Sequence, residues 1–160
     1  ISKIQSEDVL EHLDLEFVPK VFDEVFRVLK TDGVFRLSIP DYNSIVLKTR
    51  SIYNFRGEII ADPLTGSHVY YDAIKEKTLV RHLSDGNSHK WFPTKDILDS
   101  LISKSKLIQC SSIRYWHYTL SDGNFLVENF PNLEMPVNRC PPKDMRANGL
   151  PVSIIVDFKK

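Results

Sequence analysis

The sequence predicts an α/β fold built on a partly parallel, doubly wound sheet, and three stretches carry that expectation. Ile1 to Gln5 reads as a short strand, Phe17 to Leu29 as an amphipathic helix and Val34 to Ile39 as a second strand. Strand, crossover helix and strand in that order make a right-handed parallel unit. A second amphipathic helix after Thr94 and an alternating final strand, Val152 to Phe158, add to the same layers.

Each element has a local cause. SEDVLEHL, Ser6 to Leu13, is a loop entering a helical turn, and Asp14 and Glu16 put acids where a helix N-terminus favours them. In the first helix apolar residues fall at 17, 18, 21, 22, 25, 26, 28 and 29, a 3.6-residue stripe. Pro19 lies in its first turn, where a missing N–H removes no helical bond. Thr31-Asp32-Gly33 ends the helix, with Gly33 expected in the left-handed cap position. In the next strand Phe35, Leu37 and Ile39 share a face opposite Val34, Arg36 and Ser38, and Pro40-Asp41 closes it. Periodicity is lost from Tyr42 to Asn87, with turns at Asn54 to Gly57, Asp62 to Gly66 and Ser84 to Asn87. This insertion, 42–90, reads as a lid or binding loop with room for a short hairpin. Thr94 caps a helix reaching about Ser105, with Ile97, Leu98, Leu101 and Ile102 buried. Leu107 to Tyr118 is a strand, Asn124 to Leu150 a Pro- and Asn-rich loop, and Val152 to Phe158 the last strand.

Composition excludes several function classes. The 160 residues, 42% apolar and 26% charged, make one domain, which at this size buries roughly 70% of its unfolded surface. Equal numbers of Lys+Arg and Asp+Glu, 21 of each, disfavour nucleic acid and anionic membranes as partners, because binding there needs excess positive charge. No apolar run approaches the roughly 18 residues of a membrane span, and no signal peptide is visible. Cys110 and Cys140 lie thirty positions apart in neither a CxxC nor a zinc pattern, so the expected setting is reducing and cytoplasmic. His68, His82 and His117 share no ligand spacing, and no metal is expected. The six glycines are nowhere closer than nine positions, so neither GxGxxG nor a Walker A loop can be written. Tyr115 to Tyr118 reads as core plus rim rather than a base-stacking platform.

SEDVLEHL, then EVFRVLKTDG, then VFRLSIPD, together resemble the second half of class I S-adenosylmethionine-dependent methyltransferases of the type 11 kind. GNSHKWFPT and PVSIIVDFKK are similar to a bacterial and phage-like branch of that family. The resemblance runs from Ile1 to Lys160 and implies a partial Rossmann-like sheet. Of the family order 3-2-1-4-5-7-6, this chain would supply strands 4, 5, 7 and 6. The family's glycine-rich cofactor turn and ribose-binding acid have no counterpart here. The sequence therefore reads as an N-terminally truncated domain, an expectation to which the start at Ile1 also belongs. An edge left beside Ile1 to Gln5 would be open to pairing with another chain.

On that reading the cofactor is S-adenosyl-L-methionine and the methyl acceptor a small-molecule or sugar/glycan hydroxyl. In an open α/β sheet the crevice lies at the carboxyl ends of the strands. Gln5, Ser6, Glu7 and Asp8 fall there as cofactor-side residues, with helix N-terminal stabilisation as the other reading of the acids. Asp41 and Tyr42 fall on the same rim as substrate-side residues. His12, with Glu11, is the candidate base, since an ordinary imidazole pKa of about 6.5 suits proton removal near neutrality; capping or packing at a helix start is the alternative. His89 and Trp91 match the family's substrate-side segment or else anchor a loop, with Trp91 and Phe92 as a staple. Arg139, Lys143 and Arg146 could hold an anionic group, Arg146 foremost, or form a solvated face. The competing function is a non-catalytic methyltransferase-like binding or assembly module that lacks the cofactor half.

Overall fold

Alternation and helical period together build one mixed sheet with helices on one face. The computed structural model describes residues 1–82 and 88–160. β1 (Lys3–Glu7) runs parallel to β2 (Val34–Pro40), with Gln5 opposite Arg36, and α1 (Val18–Val28) makes the crossover between them. The insertion follows, with a short helix α2 (Ile45–Lys48), a hairpin of β3 (Ile52–Tyr53) and β4 (Ile59–Ala61), and a second hairpin of β5 (Ser67–Asp72) and β6 (Lys77–His82). α3 (Lys95–Ser103) leads to β7 (Ser112–Thr119), β8 (Phe125–Val127) and β9 (Ser153–Lys159). The strand order is β1-β2-β9-β7-β8, and β9 enters antiparallel between β2 and β7. No helix among the described residues is long and apolar enough to cross a membrane.

The helical face holds the main core. Phe35, Leu37 and Ile39 of β2 and Ile154, Val156 and Phe158 of β9 pack against Val18 and Phe22 of α1 and Leu98, Leu101 and Ile102 of α3. Phe35 lies directly opposite Phe158 in register, with ring centroids 5.6 Å apart and nearly stacked. On the other face the segment after β8 takes the place of a helix. Phe130, Val137 and Cys140 pack on Trp116 and Ile155. Beneath that cover Arg36, fully buried, makes a two-pronged pair with Asp157, Nε to Oδ1 at 2.7 Å and Nη2 to Oδ2 at 2.6 Å. Its Nη1 donates to the Met135 carbonyl at 2.9 Å, and Trp116 Nε1 donates to Asp157 Oδ2 at 2.9 Å. The sequence places Arg36 off the apolar face, and the structure shows what occupies that side: an ion pair whose guanidinium also donates to the Asn132 and Met135 carbonyls.

Several boundaries differ from expectation for physical reasons. Gly33 does not take the left-handed conformation; Asp32 does, at φ 58°. Gly33 is needed instead for close approach, since a Cβ there would lie 2.8 Å from the Lys30 carbonyl oxygen. Asp14 and Glu16 fall on the 3-10 turn Leu15–Phe17 and its N-cap, before α1, whose first turn carries no acid. Leu107 is not in a strand. Ser105 Oγ accepts the Leu107 N–H and starts a 3-10 turn, Lys106–Gln109, that drives Leu107 into the core. The expected loop after Asn124 contains the edge strand β8, and the insertion holds two hairpins rather than one. The turn at Ser84 to Asn87 and the side chain of His82 lie outside the described residues.

The buried ion pair predicts a specific mutational pattern. Asp157→Ala leaves the Arg36 guanidinium buried and uncompensated and lowers stability by about 3–5 kcal/mol. Arg36→Met with Asp157→Leu removes both charges and recovers most of that loss. Urea denaturation midpoints check this, and an unmoved midpoint in Asp157→Ala contradicts it.

Candidate functional site

The site is assembled where β1 and β2 end. Asp8 follows β1 with φ 53°, a left-handed conformation that Asp tolerates better than most side chains, and its N–H donates to the Ser38 carbonyl at 3.1 Å. That turn feeds the 3-10 segment Leu10–His12. Leu10 enters the core, and the Leu10 carbonyl accepts from Trp91 Nε1 at 2.9 Å. The Glu11 carbonyl accepts the Lys90 N–H at 2.8 Å. Two hydrogen bonds thus fasten 90–91 to 10–11, and His89 arrives beside Glu11 and His12.

Three side chains converge there. Glu11 is fully buried, and neither carboxyl oxygen has a hydrogen-bond partner among the described residues. His89 Nε2 lies 3.7 Å and His12 Nε2 3.8 Å from the same Glu11 Oε1. The two rings meet edge to face at 4.9 Å between centroids. His89 is 4% exposed, whereas the His12 side chain is 28% exposed and is the opening to solvent. Burial pushes the Glu11 carboxyl up to about 7 and, for the opposite charge type, pulls His89 down to about 4. One atom from each of Glu11, His12 and His89 lies within 4.8 Å of the others, a spacing able to hold a metal ion.

The other ring nitrogens are tied to the protein. His12 Nδ1 lies 3.2 Å from the Ser88 carbonyl, which can only accept, so Nδ1 carries the proton. His89 Nδ1 lies 2.7 Å from the Tyr42 hydroxyl. That hydroxyl donates to Asp62 Oδ2 at 2.7 Å, so it accepts from His89 and Nδ1 is again the protonated nitrogen. Asp62 is fixed in turn by Arg50 Nε at 2.8 Å, by the Leu64 N–H at 3.1 Å and by its own N–H on Ser67 Oγ at 2.6 Å. Burial, followed by the Asp62 contact, raises the Tyr42 hydroxyl far above its ordinary value, so it stays a neutral donor.

The structure brings Glu11, His12, Tyr42 and His89 together and puts the other expected residues to different uses. Gln5 Nε2 donates to the Pro136 carbonyl at 2.6 Å. Ser6 Oγ is buried without a partner among the described residues. Glu7 accepts from the backbone N–H groups of Asn138 and Arg139 at 2.7 and 3.0 Å. Asp8 pairs with Arg139 at 3.1 Å, and burial raises its carboxyl despite that partner. Arg146 is held by Asp144 at 2.9 Å, and Lys143 donates to Asn138. Asp41 accepts from the N–H groups of Asn43 at 3.0 Å and Thr119 at 2.6 Å, joining the ends of β2 and β7. Trp91 is the anchor already described, and it also lines a cavity of about 790 Å³ with Tyr42, Tyr53, Ile59 and Phe92. Sequence reasoning missed Arg50 and Asp62. Both sit in the insertion, and no spacing linked them to Tyr42 or His89.

Two outcomes follow. Tyr42→Phe leaves His89 Nδ1–H without its buried partner, while Asp62 Oδ2 keeps Arg50, and lowers stability by about 1–3 kcal/mol in chemical denaturation. Burial outweighs the donated hydrogen bonds and pushes Asp41 up to about 6 from an ordinary 3.8, so the folded chain keeps a proton that the unfolded chain has released. Its stabilising contribution is full below pH 3.8, falls as pH rises to about 6, and is level above. The stability advantage of wild type over Asp41→Asn therefore shrinks across that window; an advantage that grows there contradicts the assignment.

Comparisons of the chain with protein-family models, with curated proteins and with solved structures find no match.

Proposed function

We propose that the chain is the acceptor-side portion of an S-adenosylmethionine-dependent methyltransferase, acting on a hydroxyl of a small molecule or sugar. The observation that carries this reading is the order β1-β2-β9-β7, with β1 and β2 parallel and β9 inserted antiparallel. It coincides with strands 4, 5, 7 and 6 of the family order, and the EHL segment follows the first of them, as the resemblance implies. The carboxyl-end rim where Glu11, His12 and His89 meet is where open α/β sheets hold ligands.

Methyl transfer from a sulfonium is an in-line displacement. The acceptor oxygen bonds to the methyl carbon, the sulfur–carbon bond breaks, and the hydroxyl proton must go to a base. His12 suits that step because its Nδ1–H is fixed on the Ser88 carbonyl and its Nε2 lone pair is left to take the proton. Glu11 Oε1, 3.8 Å away, then faces the imidazolium that forms. The aromatic cavity beside Tyr42 is large enough for the body of a sugar-sized acceptor.

A second reading is favoured by one observation: among the described residues β1 pairs only with β2, so its outer edge offers unpaired backbone groups. On that reading the chain is a non-catalytic module that adds a partner's strand to this edge.

The two readings separate in the reading frame upstream of Ile1 and in a binding measurement. The methyltransferase proposal predicts an in-frame strand, a glycine-rich turn and an acidic residue about 20 positions later. It also predicts that the protein so extended binds S-adenosylmethionine by calorimetry, and that His12→Ala slows methyl transfer while leaving cofactor affinity unchanged. A start codon at that point, or no heat of binding from the extended protein, contradicts it.

A further inference from the structure

We propose that Glu11, His12 and His89 form a binding site for a divalent transition-metal ion, with zinc the best fit to the donor set. The inference stands independently of methyl transfer. Its first support is the direction of the lone pairs. Both Nδ1 atoms carry their protons outward, to the Ser88 carbonyl and the Tyr42 hydroxyl, so both Nε2 lone pairs face Glu11 Oε1. At 3.7 and 3.8 Å neither nitrogen hydrogen-bonds the carboxyl, and among the described residues no donor outside Glu11 itself satisfies either of its oxygens. Three acceptors thus converge on one point, an arrangement a cation resolves.

Spacing agrees. Metal–ligand bonds of about 2.0–2.1 Å in tetrahedral geometry put neighbouring ligand atoms roughly 3.4 Å apart. The two separations from Glu11 Oε1, 3.7 and 3.8 Å, lie within a few tenths of an ångström of that value; the three ligand atoms span up to 4.8 Å, so the two imidazoles must also approach one another, by about 1 Å, a movement that falls to partly exposed His12. The shell behind the ligands is also built. A ligating histidine ordinarily donates its second ring N–H to a carbonyl or a carboxylate-linked group. His12 does so directly, and His89 does so through Tyr42 to Asp62, itself pinned by Arg50. Nearby cations are paired, Arg139 with Asp8 and Arg50 with Asp62, and Glu11 is the carboxyl left without a cationic partner.

Two imidazoles and a carboxylate select a first-row transition ion over magnesium or calcium. Three protein ligands leave a coordination position for an oxygen donor such as water or a substrate hydroxyl. Such an ion would lower the pKa of a bound water or hydroxyl, whose proton would pass to solvent. In the loaded protein that acidification would stand in place of His12 as base, because its Nε2 is then occupied.

The test is titration of chelator-treated protein with cobalt(II), followed by its visible absorption bands, and with zinc by calorimetry. One equivalent of each is expected to bind, with cobalt bands of a four- or five-coordinate site. Glu11→Gln and His12→Ala, each checked for a native circular dichroism spectrum, lose those bands. Tyr42→Phe keeps the ligands and weakens binding by about 10- to 100-fold. Folded wild type that binds neither ion overturns the proposal, as do cobalt bands that survive His12→Ala. Both readouts use metal alone, so their failure is distinct from failure to bind S-adenosylmethionine.

Discussion

A carboxyl group taken out of water costs several kcal/mol unless something inside the protein replaces the solvent. Glu11 is such a group, wholly buried and with neither oxygen hydrogen-bonded among the described residues. The rest of the rim is arranged around this constraint. The left-handed turn at Asp8 and the core position of Leu10 force Glu11 inward, and the bonds from Lys90 and Trp91 hold the 88–91 segment against it. What meets the carboxyl is two imidazole rings that present lone pairs, so the cluster is polarised toward a proton or a metal cation. A purely structural cluster would be expected to satisfy its own acceptors.

The sheet makes that placement possible. The apolar stripe of α1 buries on the face formed by Phe35, Leu37 and Ile39, which sets β1 parallel to β2 and brings both carboxyl ends to one rim. On the opposite face the pair of Arg36 and Asp157 ties β2 to β9 and, through the Asn132 and Met135 carbonyls, to the segment that covers β1. That segment reaches the rim, where Asn138 and Arg139 donate to Glu7 and Arg139 pairs with Asp8. A change in the buried pair therefore loosens the wall of the site as well as the sheet.

Much of the framework was legible because it is periodic. The stripe from 17 to 29, the alternation of β2 and β9 and the Thr94 cap, whose side chain accepts the Ile97 N–H, all follow from local rules. The insertion was opaque. Its hairpin strands expose Tyr53, Tyr70 and Tyr71, so they carry no clean inside-outside alternation to read. Of the site, Glu11 and His12 stood out as adjacent chemical groups after a strand. Their meeting with His89 depends on contacts across 76 or more positions of sequence, such as that of His12 with Ser88. The Tyr42–Asp62–Arg50 chain could not be foreseen, since it exists only once the insertion folds back on β2. Sequence spacing shows no ligand pattern among His68, His82 and His117, while the structure gathers Glu11, His12 and His89.

Both histidines must carry their proton on Nδ1 for two lone pairs to be aimed at Glu11. Nitrogen-15 chemical shifts of the imidazole rings in metal-free protein, at slightly alkaline pH, measure this directly. The structure predicts the Nδ1–H tautomer for His12 and for His89, with Nε2 shifting on addition of zinc. An Nε2–H tautomer at either ring would place a hydrogen-bond donor toward Glu11 and contradict the account.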